Sequence, residues 1–446
     1  METVYDTRIV HGTVLTVNDA FDIVEDALLC IDGGRVQRLE RMPEPADLPA
    51  ATETLDAEGC LILPGLVNAH THLPMTLFRG LADDLPLQRW LEEHIFPAEK
   101  NHIAPDTVRI GTLAACAELL LSGVTSCCDG YFFENEVAEA VVETGLRAVL
   151  GQGVIDFPAP GVPDPSRNID AARAFLDKWT GRIPLLEPSV FCHSPYTCGE
   201  TTLRRAKALA GEHDALLQIH VAETRMEREQ CLSAHGVSPV MYLDRLGLLD
   251  PRTLLVHAVW LDEEDIRCIA DKGCGVVHCP ESNMKLASGI APVPAMLSRG
   301  IPVAIGTDGS ASNNDLDLLR EMDTAAKLHK IHLADPTAMQ AEAVVRMATA
   351  EGARVLGWAP RLGSLEIGKA ADLVIVDARR PSMTPMYRPT SHLVYVADGS
   401  TVRDVMVDGR FLVRNGRILS FSWEDVGREW KRVTGRIAPV SKPDRM

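Results

Sequence analysis

His70-Thr71-His72 sets two imidazoles two residues apart, at the end of the apolar run LILPGLVNAH. On a strand that spacing turns both rings to one face, so a single ion can reach both. Taken alone, the tripeptide is equally a pair of polar residues satisfied near a strand end. Two further residues complete a ligand set: His220, which closes ALLQIH, and Asp308 in GTDGS, where flanking glycines let the chain turn sharply. Asp308 read singly is an ordinary turn or cap residue; beside three histidines it reads as a ligand. Neutral imidazole nitrogens and one carboxylate oxygen suit Zn²⁺, with Fe²⁺ or another divalent ion as alternatives. An ion so held lowers the pKa of a bound water from about 15.7 towards about 7, which is the chemistry of a hydrolase.

Two more groups in the same pattern can handle protons. Glu223 follows His220 by three residues, and a carboxylate there can shuttle protons between water and a substrate. Its alternative is a solvated acid in the charged run ETRMERE. His257 ends TLLVH and can hydrogen-bond an attacking oxygen or the oxyanion it becomes; alternatively it is a buried structural histidine.

These residues need a scaffold that gathers strand ends. Apolar runs recur through the middle of the chain: LILPGLVNAH, GVTSCCDG, LRAVLGQGVI, LLEPSVFCH, ALLQIHVAE, TLLVHAVWL, CGVVHCP and IPVAIGTD. Segments of helical periodicity, such as VRIGTLAACAELLLSG and LDEEDIRCIADKG, lie between several of them. Continuous apolar strands alternating with helices imply a parallel sheet covered on both faces. Eight units predict an α/β fold, a (β/α)8 TIM-like barrel, whose functional groups project from the C-terminal strand ends. A doubly wound open sheet is the alternative. The two ends differ from the middle, with short alternating strands and Asp32-Gly33-Gly34, Asp408-Gly409 and Asn415-Gly416 turn signals. They predict a small composite β-sandwich formed by both termini, from residues 1–62 and 366–446, around a barrel at 63–365.

Composition narrows the partners. Forty-four Lys and Arg against 62 Asp and Glu give a net charge of −18 over 446 residues, which argues against nucleic acid and anionic membranes. No apolar run reaches the roughly 18 residues of a membrane span. METVYDTRIV lacks the basic-then-apolar pattern of a signal peptide, so a cytoplasmic location is expected. The 11 cysteines show no C-x-x-C spacing and read as reduced, buried thiols.

PGLVNAHTHLPMTLFRG, HVAE, HCPESNMKLASG and GTDGSASNNDLDLL resemble the amidohydrolase superfamily, in its aminohydrolase branch beside the chlorotriazine hydrolases. The resemblance continues through GSLEIGKAADLVIVD and covers nearly the whole chain. It implies a distorted barrel with a composite β-sandwich, and one Zn²⁺ per subunit on His70, His72, His220 and Asp308. Binuclear relatives carry a lysine at the end of the fourth strand, where this sequence has His193 in FCHSPYT. A single ion is therefore expected.

The resemblance also implies hydrolytic deamination of the adenine ring of 5′-modified adenosines, such as 5′-methylthioadenosine and S-adenosylhomocysteine, and of adenosine. In that reading Glu223 delivers a proton to N1, Asp308 takes one from the attacking water, and His257 holds the oxygen. Glu99 in HIFPAEK matches the acid that binds ribose hydroxyls, and His193 matches a histidine that contacts the purine. In some members two arginines hold the far end of the ligand. Gln152 stands at the first of these positions and Arg167 is the nearest match to the second. The departure at Gln152 favours methylthioadenosine over the carboxylate-bearing S-adenosylhomocysteine. Trp90, in RWLEEHIF, is expected to pack rather than to shape the pocket. The expected partner is a small-molecule nucleoside, and the expected assembly a homo-oligomer. Two other readings stand beside this one. The same chemistry on guanine, an oxidised purine or an s-triazine would leave Glu99 without a ribose diol to bind. A non-catalytic barrel would leave the full ligand set and Glu223 without a purpose.

Overall fold

In the computed structural model, which describes residues 4–437, the eight apolar runs are parallel strands that pair in chain order. They are Leu66–Thr71, Val124–Tyr131, Arg147–Val154, Leu186–Cys192, Leu217–Val221, Thr253–His257, Gly275–His278 and Val303–Ile305. Helices such as Pro105–Leu121, Glu134–Thr144 and Glu200–Glu212 run between them, Leu318–Leu333 follows the last, and together they cover the outer face. The strands are Val-, Ile- and Leu-rich because packing removes both of their faces from water. This is the expected eight-stranded barrel.

The ring closes between its first and eighth strands, at the candidate metal ligands. Thr71 bridges Asp308 in parallel, and the Asp308 N–H donates to the His70 carbonyl at 3.0 Å. Asn68 clasps the same seam: its Nδ2 donates to Thr307 Oγ1 at 2.7 Å and its Oδ1 accepts the Thr307 N–H at 3.1 Å. The strands approach so closely that a Cβ on Gly306 would lie 2.8 Å from the His70 nitrogen.

Both chain ends build one nine-stranded mixed sheet beside the barrel. The halves are joined where Leu373–Asp377 pairs antiparallel with Cys60–Pro64. The N-terminal hairpin forms where Asp32-Gly33-Gly34 predicted it, between Ile23–Asp32 and Arg35–Arg41. Gly33 and Gly34 adopt φ of 56° and 75°, the left-handed pair that a tight hairpin needs. Among the described residues, no helix is long and apolar enough to cross a membrane.

One buried ion pair ties sheet to barrel. Arg147, on the third barrel strand, donates from Nε and Nη2 to the two oxygens of Asp372 at 2.8 and 3.0 Å, and both side chains are buried. Arg147→Met leaves the Asp372 carboxylate without its cation, and losing one partner of such a pair costs about 3–5 kcal/mol. Denaturant unfolding of the variant at neutral pH should show that loss; an unchanged midpoint would contradict it.

Candidate metal centre and substrate cavity

His70, His72, His220 and Asp308 each offer one ligand atom, and these atoms all lie within 4.8 Å of one another. Their elements explain the convergence. His70 is next to last on the first strand with His72 just beyond its end, His220 lies on the fifth strand, and Asp308 follows the eighth. Asp308 turns inward on a left-handed backbone, φ 59°. Its Oδ1 stands 3.2 Å from His72 Nε2 and 3.5 Å from His70 Nε2.

The surroundings of His70, His220 and Asp308 favour their ligand protonation states, while Asp308 raises the His72 ring against the effect of burial. Burial pushes His70 down to about 4 and His220 well below the ordinary imidazole value, so both rings are neutral. Burial alone would raise Asp308, but the His70 and His72 rings hold it well below the usual carboxylate range. The Nε2 atoms of His70 and His220 face each other at 3.1 Å, while His70 Nδ1 is buried without a partner. Two neutral rings and a carboxylate converging on one point form a donor set that a divalent cation fits. Outer contacts aim these ligands, as metal sites require. His72 Nδ1 donates to the Gly130 carbonyl at 2.6 Å, which leaves Nε2 free for an ion. Asp308 Oδ2 accepts from the hydroxyls of Ser282 at 2.7 Å and Ser312 at 3.1 Å.

This cluster opens into a cavity of about 530 Å³, a size that takes small organic ligands. Glu223 lies on its wall. Its Oε1 accepts from Ser288 Oγ at 3.0 Å, and its Oε2 is 3.8 Å from His257 Nε2. Burial, reinforced by the Asp308 charge, raises the Glu223 carboxyl, which suits a group that must carry a proton. The turn holding Glu223 is fixed by Glu227, whose two carboxylate oxygens accept the Ala222 and Glu223 N–H groups at 2.8 Å each. His257 also lines the cavity. Its Nδ1 meets Asn283 Oδ1 at 3.0 Å; with the proton on Nδ1, Nε2 faces inward as an acceptor.

Glu99 and His193 line the same cavity. Glu99 is pushed up to about 7 by burial, although the Tyr131 hydroxyl donates to it at 2.6 Å. His193 is pushed down to about 3 by burial and is held through Nδ1 by Thr197 Oγ1 at 3.0 Å. Trp90 packs as expected, buried in the core with Nε1 donating to the Ala82 carbonyl at 3.1 Å, and it also forms part of the cavity wall. Gln152 and Arg167 do not line the cavity. Gln152 is buried, its Nε2 3.4 Å from the Gly153 carbonyl, and Arg167 is exposed at the end of the turn Pro165–Arg167.

Several working residues carried no distinctive sign in the sequence. Ser282, Asn283 and Ser288 sit in HCPESNMKLASG and Ser312 in GTDGSASNN, but single hydroxyls and amides have no diagnostic spacing. Tyr131 has only its place at the end of the second strand.

Comparison with known proteins agrees with this geometry. Residues 61–412 match the model of the amidohydrolase family. The chain is 47% identical over 434 residues, 97% of its length and 99% of the relative's, to a 5-methylthioadenosine/S-adenosylhomocysteine deaminase of Syntrophobacter fumaroxidans. It is 45% identical over 389 residues, 87% of this chain and 89% of the other, to a 5′-deoxyadenosine deaminase of Methanothermobacter thermautotrophicus. A crystal structure of an adenosine deaminase from Xanthomonas campestris with bound zinc superposes with a TM-score of 0.96 at 37% identity, covering 99% of this chain and 100% of that one. A barrel that closes on three histidines and an aspartate, together with a family match across most of its length, makes this chain a member of the amidohydrolase family.

Proposed function

We propose that this protein is a zinc-dependent aminohydrolase that converts the adenine ring of 5′-modified adenosines, 5′-methylthioadenosine first among them, to the inosine analogue and ammonia. One observation carries the reading: a single cavity reaches the ligand cluster through His72, His220 and Asp308 and is also lined by a buried Glu223 with a raised pKa and a buried Glu99. The deaminase relatives, similar over almost their full lengths, support the same chemistry.

A zinc ion bound by His70, His72, His220 and Asp308 supplies an activated water and an electrophilic centre. The residues of the chain move and hold the protons. Glu223, whose carboxyl is raised by burial, donates a proton to N1 of the purine and so makes C6 electrophilic. Asp308 accepts the proton of the attacking water, and the inward Nε2 of His257 hydrogen-bonds its oxygen. Glu223 then takes the proton of the new C6 hydroxyl and passes it to the exocyclic nitrogen, which leaves as ammonia, and the proton held by Asp308 restores the acid. His193, neutral and rigidly held, contacts the purine, and Glu99 accepts hydrogen bonds from the ribose hydroxyls.

The ring beyond C6 sets the substrate class. Lys100 is the single lysine or arginine on the cavity wall, and it is exposed. Phe96 and Phe157 meet edge to face there, with centroids 5.4 Å apart. An uncharged 5′ group fits that environment better than the zwitterionic tail of S-adenosylhomocysteine. The deciding experiment is an ammonia-release screen over adenosine, methylthioadenosine, S-adenosylhomocysteine, guanine and cytosine, with metal analysis of the same sample. Methylthioadenosine should lead; turnover confined to guanine would replace this reading with a base deaminase.

Glu99 gives two further expectations. Glu99→Ala removes charge-assisted hydrogen bonds and should raise KM for nucleosides about 10- to 100-fold while leaving KM for a free base nearly unchanged. Because its carboxyl is raised to about 7, Glu99 loses its negative charge as pH falls through that value. Nucleoside KM should therefore rise on the acid side, and Glu99→Gln should flatten that limb. A wild-type KM that is level between about pH 6 and about pH 8 would count against the assignment.

A further inference from the structure

Beside the cavity lies a pair of thiols that the deamination chemistry does not use. Cys192 ends the fourth barrel strand, and Cys198 stands six residues later, at the far end of the segment His193-Ser194-Pro195-Tyr196-Thr197. Phe191 and His193 line the cavity, so strand alternation turns Cys192 to the opposite face. Cys192 pairs with Val154 in the parallel ladder. The Cys198 sulfur lies 3.2 Å from the carbonyl of that same Val154. A backbone bond from Cys198 N–H to the Ser194 carbonyl, at 3.1 Å, folds the segment back to this point. Both cysteines therefore meet the third strand at the same residue, Val154, and both thiols are buried. Cys127 and Cys128, by contrast, are strand neighbours whose side chains point to opposite faces and cannot pair.

We propose that Cys192 and Cys198 are a modification site: a dithiol that closes reversibly to a disulfide under peroxide and thereby displaces the segment that holds His193.

The chemistry balances with hydrogen peroxide as oxidant. The Cys198 sulfur, as thiolate, attacks one peroxide oxygen; the O–O bond breaks, a sulfenic acid forms, and the second oxygen leaves as water after taking a proton. The Cys192 sulfur then attacks the sulfenic sulfur, the S–O bond breaks, and a second water leaves. Two thiols lose two hydrogens and two electrons, and peroxide becomes two waters. Cys192 is fixed in the barrel ladder, whereas Cys198 lies on the connecting segment, so Cys198 is the first to react. In keeping with this, interaction with the Cys192 thiol holds Cys198 below the ordinary value, while that interaction and burial push Cys192 well above it.

Closure has a mechanical result. A disulfide fixes the two sulfurs about 2.05 Å apart, so Cys198 gives up its place 3.2 Å from the Val154 carbonyl. Thr197, the next residue, is the group that holds His193 Nδ1 at 3.0 Å, and Tyr196 lies on the cavity wall. Both must shift with Cys198, and the purine contact shifts with them.

The test uses the metal-loaded full chain with hydrogen peroxide, followed by thiol blocking and peptide mapping. The expected product is a Cys192–Cys198 cross-linked peptide that has lost two hydrogens and reverts with dithiothreitol. Nucleoside KM should rise about tenfold or more on oxidation, with kcat less affected, as expected for a misplaced substrate contact. Cys198→Ser should keep the untreated activity and show neither change, and Cys192→Ser should stop at a Cys198 sulfenic acid that a dimedone probe traps. Absence of the cross-link, or a KM rise that persists in Cys198→Ser, would overturn the proposal. The mapping result stands apart from the deaminase reading, because it is obtained without substrate; only the KM arm rests on that reading.

Discussion

Glu223→Gln should retain its zinc and lose about 10²- to 10⁴-fold in kcat/KM for methylthioadenosine, the range that a positioned general acid contributes. Gln preserves the shape of the side chain and can still accept from Ser288, whose hydroxyl meets Oε1 at 3.0 Å. It also leaves all four metal ligands untouched. What it cannot do is protonate N1 and then pass a proton to the departing nitrogen. The loss should appear mainly in kcat, since both transfers belong to the transition state. Metal content measured on the same sample separates this outcome from a collapsed site. Turnover within a few-fold of wild type, at full metal occupancy, would remove Glu223 from its assigned role.

Stripping the ion should be as severe for activity and also visible in stability. Without it, the neutral rings of His70 and His220 face each other at 3.1 Å in a buried place. An ion that binds only the folded state stabilises it by about 4 kcal/mol when free ion exceeds Kd a thousandfold. A strong chelator should therefore abolish ammonia release and lower Tm by about 5 °C or more. Restoring one equivalent of zinc should recover both. His220→Ala should reproduce the chelated state and resist rescue by added zinc. Full activity after exhaustive chelation, with metal absent by analysis, would refute the metal centre.

Much of this site could be read from the sequence because polar residues interrupt apolar runs at one end only. His70, His72, His220, His257 and Asp308 each follow a run of Val, Ile, Leu or Ala, and a barrel brings such ends together. Glu99 was different. It lies on a short helix, Phe96–His102, in the connection between the first two barrel strands, and no periodicity marks its inward turn; resemblance alone singled it out. Ser288, Asn283 and Tyr131 stayed silent because their contacts with Glu223, His257 and Glu99 span 65, 26 and 32 residues. The fold was legible to a similar degree. The run LILPGLVNAH looked like one strand, yet it contributes Cys60–Pro64 to the terminal sheet and Leu66–Thr71 to the barrel. The switch occurs at Gly65, where a Cβ would fall 2.0 Å from Thr125 Oγ1. Continuous apolarity hides such a handover, because both sheets bury their strands alike.

The seam between the first and eighth strands has a consequence for how the protein comes into being. Thr71 and Asp308, which meet there, are 237 residues apart in the chain. During synthesis, His70 and His72 emerge early, His220 follows, and the carboxylate that completes the set comes near the end of the barrel. No partly made chain can therefore hold the ion through all four groups. Metal capture marks the moment at which the ring has closed, so a nascent or proteolytically shortened chain that lacks the eighth strand is left without a hydrolytic centre.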